Sequence, residues 1–209
     1  MSEIHEQMPE GVEMQEPEKK DIRRELFDWA QALVPAWIVV VLLFTFAGQM
    51  ITVEGPSMQE TLQDRDYILV SNMFYTPRRG DIVVFTQPGR VNNDGQIVPM
   101  VKRVIAMGGD TIDIRETDNG MAVYLQQRDS NEFVRLDEPY LETGLSWHHH
   151  HNGTIPRGGL TIPDGKLFVM GDNRPRSADS REPGIGLVDE RWVLGRMLLR
   201  IWPFSLSVD

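Results

Sequence analysis

The chain has 209 residues, 41% of them hydrophobic and 25% charged, which is typical of a globular protein with room for one sizeable domain. Its formal net charge of −10 argues against a nucleic-acid partner, because phosphate backbones bind basic surfaces. The absence of cysteine excludes disulfides, thiolate catalysis and thiolate metal sites.

Residues 1–28 are polar and acidic, and we expect them to form a largely disordered cytoplasmic tail. They carry nine acidic residues against four basic ones, and segments of low hydrophobicity and high charge bury too little apolar surface to fold. The basic residues, Lys19, Lys20, Arg23 and Arg24, lie shortly before a long apolar stretch.

No residue between Trp29 and Val53 is charged. About 20 apolar residues suffice for a helix to cross a bilayer, so we predict a transmembrane anchor over residues 29–52, with Pro35 in its first turn. Two alternatives are a buried core helix and a cleavable signal peptide. The first is disfavoured because the stretch is apolar on every face. The second is disfavoured because the apolar stretch is long and begins late in the chain. The preceding basic residues place the N-terminus in the cytoplasm and the rest outside.

Short runs with β character, separated by turn residues, occupy residues 53–209. They predict a mainly β extracytoplasmic domain with a loop-rich insertion at about 116–159. The predicted strands are Tyr67–Ser71, Asp81–Phe85, Val98–Ala106, Thr111–Ile114, Ala122–Leu125, Leu167–Met170 and Trp192–Trp202.

A serine and a lysine are the first candidates for chemistry. Ser57 follows Gly55-Pro56, a turn that can expose a hydroxyl and leave backbone N–H groups free for an oxyanion. Lys102 lies in a predicted strand, where period-two alternation gives it the apolar neighbours Met100 and Val104 on one face. Desolvation there would lower the pKa of the lysine and allow it to act as a general base. Taken separately, Ser57 is better explained by an ordinary turn, and Lys102 by a lysine that keeps its ammonium in water.

Residues 171–181 form a dense polar loop after an apolar strand. Its Asp179 and Arg181 can pair, either in a solvated loop or in one that positions a catalytic amine. The histidine run His148–His151 invites a metal site, but adjacent histidines point in different directions, so we expect neither a metal nor another cofactor.

Several segments, in order, resemble the type I signal peptidases, the membrane-anchored bacterial serine endopeptidases that use a Ser/Lys dyad. The resemblance covers the predicted anchor and nearly all of residues 50–202. The blocks that carry the resemblance are Gly55-Pro-Ser-Met-Gln-Glu-Thr-Leu62, Arg79-Gly-Asp-Ile-Val-Val-Phe85, Val101-Lys-Arg-Val-Ile105 with Gly108-Gly-Asp110, Asp137-Glu-Pro-Tyr-Leu141, Gly171-Asp-Asn-Arg174 and Ser177-Ala-Asp-Ser-Arg181.

The resemblance implies that Ser57 is the nucleophile and Lys102 its general base. It further implies that Ser177 orients the lysine amine, that Asp179 and Arg181 brace it, and that the Ser57 N–H binds the oxyanion. Gly55 stands where some relatives carry a serine, which excludes a side-chain oxyanion donor there, as in single-anchor members. Glu60 replaces the proline that is usual in the family, so the shape of this turn is open.

The implied substrates are preproteins whose signal peptides end in small residues, bound as an extended strand beside the dyad in shallow apolar pockets. Candidate lining residues are Val53, Leu62, Met100 and Val101. Trp202, Pro203 and Phe204 are candidates either for contact with the lipid bilayer or for the core.

Two other functions remain open at this point. One is a Ser/Lys protease with another substrate, such as a self-cleaving repressor or a specialised processing enzyme; a repressor would need a DNA-binding domain where the tail and anchor stand. The other is a non-enzymatic anchored β domain, which predicts that Ser57 and Lys102 lie far apart.

Overall fold

The computed structural model describes residues 22–91, 94–118, 120–141, 147, 155–156 and 158–202. Residues 1–21 of the acidic tail, the run His148–His151, and Pro203 and Phe204 lie outside the described residues. The chain divides into two compact units, residues 1–43 and 44–209, which are described separately below.

One long helix, α1, extends from Ile22 to Ala47. It begins seven residues before the predicted start of the anchor, so residues 22–28 are helical rather than part of a disordered tail, and Pro35 lies inside the helix instead of in its first turn. It ends five residues before the predicted end, because residues 49–52 form a strand. Within the part of the chain that the structure describes, no helix is long and apolar enough to cross a membrane.

The second unit is mainly β, as predicted, and the described residues form eleven strands. Every predicted strand is present, with its ends unchanged or shifted by one to three residues. Four strands were not predicted, namely Gln49–Thr52, Val134–Arg135, Leu160–Thr161 and Val188–Asp189. The strands are β1 (Gln49–Thr52), β2 (Tyr67–Ser71), β3 (Ile82–Phe85), β4 (Met100–Met107), β5 (Thr111–Thr117), β6 (Gly120–Gln126), β7 (Val134–Arg135), β8 (Leu160–Thr161), β9 (Lys166–Met170), β10 (Val188–Asp189) and β11 (Val193–Trp202).

Seven strands form one antiparallel sheet in the order β1-β2-β11-β3-β4-β9-β10. The other four form a smaller antiparallel sheet in the order β7-β6-β5-β8. The predicted loop-rich insertion therefore contains the β6 and β7 strands as well as loops.

Strand β4 lies between β3 and β9 and has core packing on both of its faces. Met100 and Val104 pack in one cluster of buried residues, and Val101 packs in another. The predicted alternation holds up to Val104; a register shift between Val104 and Ala106 then places Ala106 in a third cluster, beside Ile105. Because the strand is central and both faces are covered, polar side chains on it are forced into the interior.

Candidate active site

Ser57 lies in a tight turn that follows β1. Gly55 has φ of 83°, a left-handed conformation that glycine adopts without strain, and its N–H donates to Asp64 Oδ1 at 2.8 Å. After the serine, the Leu62 N–H donates to Met58 O at 2.8 Å, and both of these side chains are fully buried. The turn is thus fixed at its two ends, with the serine hydroxyl between them.

Lys102 is the third residue of β4, and its side chain reaches Ser57. Its Nζ is 2.7 Å from Ser57 Oγ and donates to Val101 O at 2.8 Å. Only 4% of the residue is exposed, which rules out a lysine that holds its ammonium in water. The two residues are adjacent, in disagreement with the geometry that a non-enzymatic β domain predicts.

Burial lowers the pKa of the Lys102 amine from its usual value of 10.5 to about 8. The negative charges of Asp179 and Asp172 partly oppose this effect, and the guanidinium groups of Arg90 and Arg181 reinforce it. An amine with a pKa of about 8 is partly neutral near neutral pH, as a general base requires.

Asp179 and Arg181 form a buried ion pair beneath the lysine. Arg181 donates from Nε and Nη2 to the two carboxylate oxygens, each at 2.8 Å, and the Gly171 N–H donates to Asp179 Oδ2 at 3.0 Å. Burial by itself would raise the pKa of Asp179, but these charged and backbone donors outweigh it and hold the pKa below its usual value. Asp179 therefore stays ionised and fixed.

Ser177 is half-buried, and its hydroxyl oxygen is shielded from solvent. The hydroxyl helps to lower the pKa of Asp179, yet it forms no hydrogen bond of ordinary geometry with any described residue. It lies against Gly171, whose Cα hydrogen also faces the carbonyl oxygen of Ser57; a methyl group there would collide with both. Gly171 is thus a site residue that the sequence reasoning did not single out.

Two further residues of this loop hold the serine turn, and the sequence reasoning missed both. The Asn173 N–H donates to Ser57 O at 3.1 Å, and its Nδ2 donates to Pro56 O at 3.0 Å. Asp172 accepts from Thr61 Oγ1 at 2.5 Å and from the Arg103 guanidinium at 2.9 and 2.8 Å. Asp172 therefore links the serine turn to the residue next to Lys102.

Aromatic and acidic residues from the second half of the chain cover these buried arginines. Tyr140 lies over the Arg103 guanidinium at 3.9 Å, and Trp147 lies over Arg181 at 5.1 Å. Glu138 pairs with Arg174, whose guanidinium also has Trp147 at 5.5 Å. In the sequence, only the family resemblance of residues 137–141 pointed to Glu138 and Tyr140, and it predicted no contact for either residue.

An open cleft of about 460 Å³ holds the Ser57 hydroxyl and the lysine. Its walls are formed by residues 51–57 and 96–102, with Arg90, Arg176 and Ala178. Of the predicted lining residues, Val53, Met100 and Val101 belong to these walls. Leu62 does not: it is fully buried in the core, so packing accounts for it.

Glu60 has φ of 87°, in the left-handed region that side chains other than glycine rarely adopt. Proline is fixed near −65° and cannot take this conformation. The turn after Ser57 is therefore shaped differently from one with the proline that is usual in the family, while the Ser57–Lys102 distance is still that of a hydrogen bond.

The comparisons with known proteins agree on one family. The family described as "Signal peptidase, peptidase S26" matches residues 26–202. The signal peptidase I of Bacillus licheniformis is 32% identical over 197 residues, which is 92% of this chain and 97% of the relative. That of Bacillus amyloliquefaciens is 32% identical over 195 residues, or 91% and 95% of the two chains.

A relative from a third species extends the match. The signal peptidase IB of Staphylococcus aureus is 30% identical over 200 residues, covering 88% of this chain and 93% of the relative. Since the family match spans most of the chain and the relatives are matched along nearly their whole length, the chain belongs to peptidase S26, the signal peptidases, and is a serine endopeptidase of the type I signal peptidase family.

Proposed function

We propose that this protein removes N-terminal signal peptides from exported preproteins, with Ser57 as the nucleophile and Lys102 as the general base. The observation that carries the proposal is the 2.7 Å separation of Ser57 Oγ from a buried Lys102 amine whose pKa is about 8. A serine hydroxyl needs such a neighbouring base to become a competent nucleophile.

In the first step, Ser57 Oγ attacks the carbonyl carbon of the scissile bond and its proton passes to Lys102 Nζ. The tetrahedral intermediate then collapses, the C–N bond breaks, and the Lys102 ammonium returns the proton to the leaving amine, which is the new N-terminus of the mature protein. The signal peptide remains as an ester on Ser57. In the second step, Lys102 takes a proton from water, the hydroxide hydrolyses the ester, and the proton returns to Ser57 Oγ.

The oxyanion of each intermediate is bound by the backbone N–H of Ser57, which donates to no acceptor among the described residues. Asn173 supports this role because it holds the Ser57 carbonyl from the opposite side of the residue. Gly55 carries no side-chain donor, so the oxyanion depends on the backbone.

Ser177 and the Asp179–Arg181 pair orient the base. One N–H of the neutral Lys102 amine donates to Val101 O, and the Ser177 hydroxyl, which has no partner of ordinary geometry among the described residues, is available for the other. Asp179 is fixed by Arg181 and holds its charge close to the amine. With these contacts the amine lone pair is directed at Ser57.

The substrate binds as an extended strand in the 460 Å³ cleft, between residues 51–57 and 96–102. Val53, Met100 and Val101 supply the apolar wall for the small side chains that precede the cut. No cofactor enters this mechanism.

Helix α1 anchors the enzyme in the bacterial cell membrane, with the N-terminus in the cytoplasm and the catalytic domain outside. Its support is the uncharged sequence between Trp29 and Val53 and the exposure of apolar side chains such as Leu33 and Trp37. Flotation with lipid vesicles tests this: the full chain should float, and a chain that begins at Gly48 should not.

Cleavage of a purified preprotein tests the reaction. We expect Ser57→Ala and Lys102→Ala to lose at least about a thousandfold in kcat/KM, as removal of a catalytic nucleophile or base does. Lys166→Ala is the matched control, because Lys166 is the only other lysine beyond residue 28 and pairs with Asp189. Full activity in either of the first two variants would exclude the assignment.

A further inference from the structure

The cleft that holds Ser57 and Lys102 also contains two arginines that the proposed reaction does not use, Arg90 and Arg176. Arg90 comes from the connection between β3 and β4, and Arg176 comes from a short 3-10 turn, Arg174–Arg176, next to Ser177. Both arginines are exposed in the cleft. Two separate segments thus bring a positive charge to the same space beside the nucleophile.

The backbone that carries Arg90 is held in place. The Arg90 N–H donates to Gln87 O at 3.1 Å, and the Val98 N–H donates to Arg90 O at 3.3 Å. Gln87 in turn donates from Nε2 to Ile185 O at 2.8 Å, which ties the base of this connection to the domain. The backbone of Arg90 is therefore a fixed part of the cleft wall.

Neither guanidinium group belongs to one of the ion pairs found among the residues that the structure describes. This separates them from the buried arginines next to the site, each of which is matched by an acid. Those pairs are Arg103 with Asp172, Arg174 with Glu138, and Arg181 with Asp179.

The cleft is locally positive although the protein as a whole has a net charge of −10. Its walls contain a single carboxylate among the described residues, Glu54, against Arg90 and Arg176. The positive charge of Arg90 already acts on Lys102 across this space. An extended peptide in the cleft would pass the same two guanidinium groups.

We propose that Arg90 and Arg176 are specificity-determining residues that bind a carboxylate side chain of the substrate next to the scissile bond. The planar guanidinium fork matches a carboxylate better than any other common side chain does. The inference rests on the proposed function, because it assumes that the cleft binds the peptide to be cut. Since the arginines are exposed, we expect a preference of about three- to tenfold from the two together, not an absolute requirement.

The test uses the full chain in detergent micelles and peptides with small residues one and three positions before the cut. One series places glutamate at each position in turn on both sides of the scissile bond. The second series places glutamine at the same positions. The measured quantity is the ratio of kcat/KM for the glutamate peptide to that for its glutamine partner. We expect this ratio to reach about three to ten at a position next to the cut and to fall with added salt.

Variants identify the residues responsible. Arg90→Gln and Arg176→Gln should each bring the ratio towards one, and Arg90→Glu should favour a lysine peptide instead. Loss of Arg90 also raises the pKa of Lys102, so at a given pH every peptide is cleaved more slowly by the same factor. This effect cancels in the ratio. Arg135→Gln, an exposed arginine in β7 of the smaller sheet, should leave the ratio unchanged.

The results separate this inference from the proposed function. If the peptides are cut but no position shows a glutamate preference, or if the preference survives in both glutamine variants, the role of the two arginines is wrong and the peptidase stands. If neither series is cut, or if Ser57→Ala cuts them as well as the parent does, the proposed function itself fails.

Discussion

Lys102 places an ionisable amine where the protein interior disfavours its charge, and this has a cost in stability. The folded-state pKa is about 8 against 10.5 for an ordinary lysine. Well below pH 8 the amine is protonated in both states, and the folded state bears the full cost of the buried charge. Between about pH 8 and 10.5 that cost fades, because the folded protein releases its proton first.

Lys102→Met should therefore stabilise the protein at pH 7 while abolishing activity. A shift of this size corresponds to about 3 kcal/mol, less what is lost with the hydrogen bonds to Ser57 and Val101, so we expect a gain of about 1–2 kcal/mol in the free energy of unfolding. Urea denaturation at several pH values measures it, and the gain should shrink towards pH 10. A variant that is less stable than the parent at pH 7 would show that burial of the charged Lys102 amine does not destabilise the folded protein.

Gly171 is the residue at which we expect the smallest substitution to have the largest effect. A methyl group there meets Ser57 O and Ser177 Oγ, so Gly171→Ala should displace the nucleophile and lower kcat/KM by about a hundredfold. Gly184→Ala is the matched control, since a methyl group at Gly184 has no atom within 4 Å. Equal activity of these two variants in preprotein cleavage would contradict the packing described here.

At the scale of elements, Asp172 holds the site together. It binds the serine turn through Thr61 and strand β4 through Arg103, the residue after Lys102. The two side chains proposed to be catalytic, Ser57 and Lys102, are 45 residues apart in sequence, so a direct link between the segments that carry them fixes their distance. The Tyr140 ring packs on the Arg103 guanidinium of this link.

Asp172→Asn should leave the Arg103 guanidinium buried without its anion, and we expect a loss of about 3 kcal/mol in the free energy of unfolding. Asp164→Asn removes the partner of Arg128 in an exposed pair and should change stability by about 0.5 kcal/mol or less. Chemical denaturation of the two variants checks the contrast. Similar losses in both would mean that the buried Asp172–Arg103 pair contributes no more to stability than the exposed Asp164–Arg128 pair.

For the whole molecule, the sequence predicted features that depend on neighbours along the chain. The β strands and the apolar environment of Lys102 follow from residue order, and the pairing of Asp179 with Arg181 follows from their spacing. Strand β1 was hidden because residues 49–52 continue an uncharged apolar stretch, and only pairing with β2 makes them a strand.

Features that depend on distant contacts were not predictable in this way. Trp147 lies over Arg181, which is 34 residues further along the chain, and no pattern in the sequence around Trp147 predicts this contact. The tightness at Gly171 arises because the serine turn, more than 100 residues earlier, lies against it. Leu62 and Val101 looked alike as apolar flanks, and only the fold separates a core residue from a cleft wall.

The pH dependence of kcat/KM for preprotein cleavage tests the central claim most directly, because it reports the ionisation of the free enzyme. If a buried, neutral Lys102 activates Ser57, kcat/KM rises with pH through a half-point at about 8. A half-point near 10.5, the value of an ordinary lysine, or the same pH profile in Lys102→Ala, would contradict it.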